Sequence, residues 1–110
     1  MEKSRVLMGI QQKVRDGEYE YSKHAVDQSI VRGISVSEAK EALLSQVEMI
    51  EDYPHDFYGP SCLVLGFTGK NRPIHCVCSY PSRPIVKIVT VYEPTEAEWV
   101  NHRKRNQGSL

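Results

Sequence analysis

The sequence predicts an α+β fold, with two or three helices first, then a four-stranded antiparallel meander, and one more helix at the end. Three observations predict it. Apolar residues recur at helical spacing up to about residue 45. From Val47 to Tyr92 they alternate or run in short stretches bounded by Gly, Pro and Asn, and Pro94 with Thr95-Glu96-Ala97-Glu98 then reopens helical chemistry. At 110 residues, 40% hydrophobic and 25% charged, the chain has material for one core, hence one domain over 1–110.

Val6, Leu7, Ile10 and Val14 predict an amphipathic helix over 3–16, stopped by Asp16-Gly17. A short extended piece follows at 18–21. Ser22 is a candidate cap for a second helix to about Arg32, with Val26 and Ile30 toward the core and Gly33 ending it. Ser35-Val36-Ser37-Glu38 reads as a capping box opening a third helix, whose apolar stripe is Val36, Ala39, Leu43 and Val47. The period then becomes extended, with strands at 47–52, 62–68, 74–80 and 85–92 and turn chemistry at 68–73 and 81–84. The Thr95–Glu98 box predicts the last helix, anchored by Trp99, before Asn106 to Leu110 fray.

Composition narrows the function classes. The longest apolar run, Ile85 to Tyr92, is broken by Lys87 and falls far short of the roughly 20 residues of a membrane span. The charged Met-Glu-Lys-Ser-Arg start lacks an export signal, and three cysteines make a poor disulfide framework, so a cytoplasmic protein with free thiols and no membrane partner is expected. A net charge of zero argues against coating polyanions by bulk charge. Residues 57–92 nevertheless carry Lys70, Arg72, Arg83 and Lys87 and no acid.

Three placements bear on chemistry. His24, Gln28 and Arg32 follow i, i+4, i+8 on one polar stripe of the second helix, a solvated face or one side of a site about 12 Å long. Cys76 and Cys78 beside His75 suggest zinc, but strand alternation sends the cysteines to one face and His75 to the other, so no metal is expected. A four-residue loop over 81–84 pairs Tyr80 with Ile85 and therefore His75 with Thr90. Tyr92 then shares their face, and Lys87 falls on the Cys76 face.

The strings Ser22-Lys23-His24-Ala25, Val31-Arg32-Gly33-Ile34-Ser35, Leu63-Val64-Leu65-Gly66, Arg72-Pro73-Ile74-His75-Cys76-Val77 and Thr90-Val91-Tyr92-Glu93-Pro94, with Trp99 beyond, resemble the bacterial family called domain of unknown function 4258, over about 20–105. That family resembles the RelE/ParE-like toxins of toxin–antitoxin pairs. The resemblance implies a RelE-like fold, a metal-independent endoribonuclease without cofactor, and a small cysteine-rich, zinc-binding antitoxin partner of the YgiT/MqsA kind. Metal-free RNA cleavage needs a base, an acid and a cation for the developing charge. His75 and His24 are then the acid–base candidates, Arg32 the phosphate clamp, Thr90 a phosphate-sharing hydroxyl and Tyr92 a donor or stacking ring. Arg72, Arg103, Lys104 and Arg105 would contact the RNA backbone. A non-catalytic protein-interaction module and a DNA- or gyrase-directed toxin are the alternatives.

Overall fold

The computed structural model describes residues 2–107. Its α+β chain runs α1 (Glu2–Arg15), β1 (Tyr19–Tyr21), α2 (Lys23–Arg32), α3 (Val36–Leu43), β2 (Glu48–Tyr53), β3 (Ser61–Phe67), β4 (Pro73–Ser79), β5 (Val86–Tyr92), β6 (Trp99–Val100) and β7 (Lys104–Arg105). No helix among the described residues is long and apolar enough to cross a membrane.

The helix ends follow the sequence signals. Gly17 and Gly33 close α1 and α2 with paired backbone bonds, Glu18 N–H to Lys13 C=O with Gly17 N–H to Val14 C=O, and Ile34 N–H to Ser29 C=O with Gly33 N–H to Ile30 C=O. The Ser22 hydroxyl accepts from Ala25 N–H at 3.0 Å, and the Ser35–Glu38 capping box is complete in both directions. Ser35→Ala is expected to cost about 1 kcal/mol by urea denaturation, the usual worth of a cap.

The sheet has five strands and is mixed, in the order β1-β5-β4-β3-β2, which corrects the expected four-stranded antiparallel meander. β1 adds itself parallel to β5, Tyr19 opposite Val86 and Tyr21 opposite Ile88. The extended piece expected at 18–21 is this strand, and three residues carry too little pattern to announce its partner or its direction. β1 is stabilised by pairing at a distance, as in the Lys87–Glu20 ion pair at 3.1 Å. Where β1 ends, α2 takes over the same edge. Ser22 donates its N–H to Ile88 C=O and its hydroxyl to Val89 C=O, Gln28 Oε1 accepts from Val91 N–H at 3.0 Å, and Arg32 Nη1 donates to Val91 C=O at 3.1 Å. Side chains thus complete a strand edge that would otherwise lie open.

That docking also reverses the expected facing of α2. Ala25 and Ser29 are buried and Gln28 and Arg32 meet the sheet, while Val26 and Ile30 face solvent, Ile30 at 74% exposure. The core lies between the helices and the inner sheet face, where Ile10, Val14, Ala25 and Leu43 pack on Val64, Ile74, Cys76, Cys78, Val86, Ile88 and Val91.

Register departs from the expected one in two single-residue steps, one at the turn after β4 and one at a bulge. His75 pairs with Tyr92 and Val77 with Thr90, but Cys78 pairs with Ile88, leaving Val89 as the extra residue. The bulge lets Val86, Ile88 and Val91 all reach the core although they differ in parity. The step at the turn, already present where Cys78 pairs with Ile88, puts Lys87 on the Ser79 face, whose hydroxyl accepts from Lys87 N–H, away from the Cys76 face predicted for it.

The last helix does not form. Thr95 C=O accepts from Glu98 and Trp99 N–H, one helical turn, and the chain then reverses at Asn101 and His102, both in left-handed conformation with φ of 53° and 63°. Positive φ at both central residues is the mark of a type I′ hairpin turn. It makes Trp99–Val100 and Lys104–Arg105 an antiparallel pair. Burial of Trp99, 3% exposed, outweighs the helical preference of 96–105. Asn106 is held by its N–H to Glu98 C=O, and 108–110 lie outside the described residues.

Candidate active site

The outer sheet face is organised around His75. β4 alternation turns its side chain away from the core cysteines, and the β6–β7 hairpin lies over it, so His75 is 0% exposed. Its ring is edge-on to Trp99 at 4.6 Å and to Tyr92 at 5.1 Å. Both ring nitrogens are engaged. Nε2 lies 2.7 Å from His102 C=O and Nδ1 lies 3.0 Å from the Tyr92 hydroxyl. A carbonyl only accepts, so Nε2 carries the proton, and the neutral ring must then accept the Tyr92 O–H at Nδ1. Desolvation pushes His75 below its ordinary value and keeps it neutral, while Glu51 acts in the opposite sense.

Tyr92 forms the link from this buried histidine to solvent. It stands in the wall of a cleft of about 440 Å³ together with Gln28, Arg32, Arg72, Thr90 and Glu98. The Arg32 guanidinium lies 5.7 Å from the Tyr92 ring centroid. It uses Nη1 on Val91 C=O, which anchors the fork in the cleft wall. Burial pushes the Tyr92 phenol up to about 12, so it enters any reaction protonated.

The sequence-derived candidates therefore separate. Arg32, Thr90, Tyr92 and Arg72 line one cleft, with His75 directly behind Tyr92. His75 faces Tyr92 and not Thr90, the two-residue displacement preserving their shared face. His24 is exposed on α2 and does not line the cleft. Arg72 is held in structural contacts, by Glu93 at 2.7 Å, Glu38 at 3.2 Å and the Gly33 carbonyl. The expected basic tail is likewise engaged. Arg103 pairs with Glu48 at 2.7 Å and Arg105 with Glu51 at 2.6 Å while its guanidinium lies over Trp99 at 4.8 Å. These arginines clamp the hairpin to β2 and hold both carboxyls below the usual range. Lys104 remains exposed.

Cys62, Cys76 and Cys78 are buried thiols, with burial pushing Cys62 and Cys76 up to about 12. Among the described residues no group of three His, Cys, Asp or Glu side chains is placed to hold a metal ion. Sequence reasoning missed Trp99 as the lid of His75, the His102 carbonyl and the Gln28 bond to β5. Asn101 after the β-forming Trp99-Val100 was a signal for the hairpin.

A family profile described as a domain of unknown function (DUF4258) matches residues 21–93. That span includes Arg32, His75, Thr90 and Tyr92 and ends before the β6–β7 hairpin. No curated protein and no solved structure matches the chain.

Proposed function

The chain belongs to the DUF4258 family, and from that premise, with the geometry around Tyr92, we propose that it is a toxin-like, metal-independent endoribonuclease of a toxin–antitoxin pair. One observation carries the reading: the Tyr92 hydroxyl is hydrogen-bonded to a buried neutral histidine at the wall of a cleft that also holds an arginine fork. In this reading Tyr92 is the residue that meets RNA. As the 2′-hydroxyl gives its proton to the Tyr92 oxygen, the phenol proton passes to His75 Nδ1. The 2′-oxygen attacks phosphorus, the bond to the 5′-oxygen breaks, and the leaving oxygen takes a proton from water in the open cleft. The hydroxide so formed takes the Tyr92 proton as His75 Nδ1 returns its own to the phenol oxygen, which restores the neutral pair. Arg32 holds the charge developing on the phosphate. His75 orients the phenol and receives the proton, with His102 C=O fixing its tautomer. Burial opposes the resulting imidazolium and Glu51 favours it. The same reading assigns the protein a small zinc-binding antitoxin as inhibitor.

Purified protein incubated with single-stranded RNA and excess chelator is expected to leave 2′,3′-cyclic phosphate ends, detected by end-group analysis. Intact RNA, or cleavage abolished by the chelator, refutes the proposal. A non-catalytic interaction module is the second reading, favoured by the solvent-facing Val26, Ile30 and Val31 of α2. Intact RNA would select it.

A further inference from the structure

We infer that the outer face carries a second site, a cleft that binds unpaired bases of single-stranded RNA. It rests on the reading above for the choice of RNA. The cleft, about 610 Å³, lies on the half of the sheet where Val77, Ser79, Lys87 and Val89 replace His75 and Tyr92, and its far wall is the β2–β3 loop. Its size falls in the range of ligand clefts, about 300–1,000 Å³.

The loop presents two adjacent aromatic residues to water. Phe57 is 89% and Tyr58 81% exposed, their rings edge-on at 5.0 Å. Large apolar side chains left this open on a small protein are informative, because their burial in the core would have been favourable. The loop that holds them is tied down. Arg83 Nη2 donates to Tyr58 C=O at 2.7 Å, Gly59 N–H to Asp56 C=O at 2.9 Å, and Tyr80 N–H to Pro60 C=O at 3.0 Å. Gly59 permits the first of these, since a Cβ there would stand 2.9 Å from Arg83 Nη2. The rings therefore stand on a fixed support, which lowers the entropy cost of binding.

The chemistry of the walls fits a nucleic-acid strand. Tyr53 and Tyr58 offer ring surface, Val77 and Val89 an apolar floor, and Arg83 and Lys87 cations for phosphate. Acids temper this charge, since Asp56 lies in the wall and Glu20 pairs with Lys87. Stacking is thus the main source of affinity and charge the lesser. The same balance argues against duplex, whose bases keep their faces stacked on one another and whose affinity comes chiefly from phosphate contacts. Val89, in this cleft, is followed directly by Thr90 of the Tyr92 cleft, so one strand can cross from stacking to chemistry along β5.

The test uses a fluorescein-labelled oligouridylate, followed by anisotropy on full-length protein carrying Tyr92→Phe so that the strand stays whole. Adding Phe57→Ala and Tyr58→Ala is expected to weaken binding by at least about tenfold, given the worth of stacking one base. The melting temperature should not change, because both rings are exposed. Lys87→Gln should reduce the salt dependence. Unchanged affinity in the Phe57/Tyr58 variant, or equal affinity for the matching RNA duplex, overturns the site. Equal affinity for oligothymidylate overturns the assignment to RNA. Absence of cleavage by the wild-type protein refutes the nuclease reading alone, since binding is measured separately.

Discussion

Tyr92→Phe is expected to lower RNA cleavage by 10²-fold or more while costing about 1 kcal/mol of stability. The substitution keeps the ring that faces Arg32 and removes the one atom shared between cleft and histidine. His75→Gln should lose activity to a similar degree but cost more stability, because it disturbs packing against Trp99 and the bond to His102 C=O in a fully buried place. The pH dependence separates the two roles. Burial lowers the folded His75 value below its ordinary one, so the unfolded chain binds more protons in the window between them. The stability this contributes is present above the unfolded value near 6.5 and is lost as pH falls through the folded value. Denaturation curves from neutral to acid pH should show that loss in the wild type and not in His75→Gln. Cleavage requires neutral His75, so the acid limb of the rate profile should follow the same lowered value. A Tyr92→Phe variant that cleaves at the wild-type rate removes the phenol from the chemistry.

Gly66→Ala is expected to destabilise the fold by about 3 kcal/mol or more, near the top of what overpacking does. β3 passes so close to the end of α3 that a Cβ at Gly66 would stand 2.0 Å from Ala42 C=O and 2.6 Å from its carbonyl carbon. These are backbone atoms at a helix terminus, and the neighbouring Ser45 hydroxyl, which accepts from Phe67 N–H and donates to Ala42 C=O, locks the same contact. Relief would require α3 to lift from the sheet, exposing Ala39 and Leu43. Equal midpoints for wild type and Gly66→Ala in urea would mean that α3 can move away freely.

Much of this protein is determined locally and could be read in order. Ser22, Gly33 and the Ser35–Glu38 box set helix ends through bonds spanning only a few residues. Alternation along β4 is a property of extended backbone, so the separation of His75 from Cys76 and Cys78 followed from sequence alone. The shared face of His75, Thr90 and Tyr92 followed too, although Tyr92 and not Thr90 is the partner of His75. What only the tertiary structure decided has long-range causes. β1 exists because β5 offers it an edge, and the Val89 bulge exists because Val86, Ile88 and Val91 must all reach one core. The end of the chain follows the same logic. The capping box at Thr95 is a real helical signal, yet a helix there would forgo the burial of Trp99 on His75 and the pairing of Arg103 and Arg105 with Glu48 and Glu51. Those partners lie more than fifty residues away in sequence and no local pattern reports them. The histidine was therefore legible as a residue of interest, and its concealment behind Tyr92 was not, because burial is a sum over the whole fold.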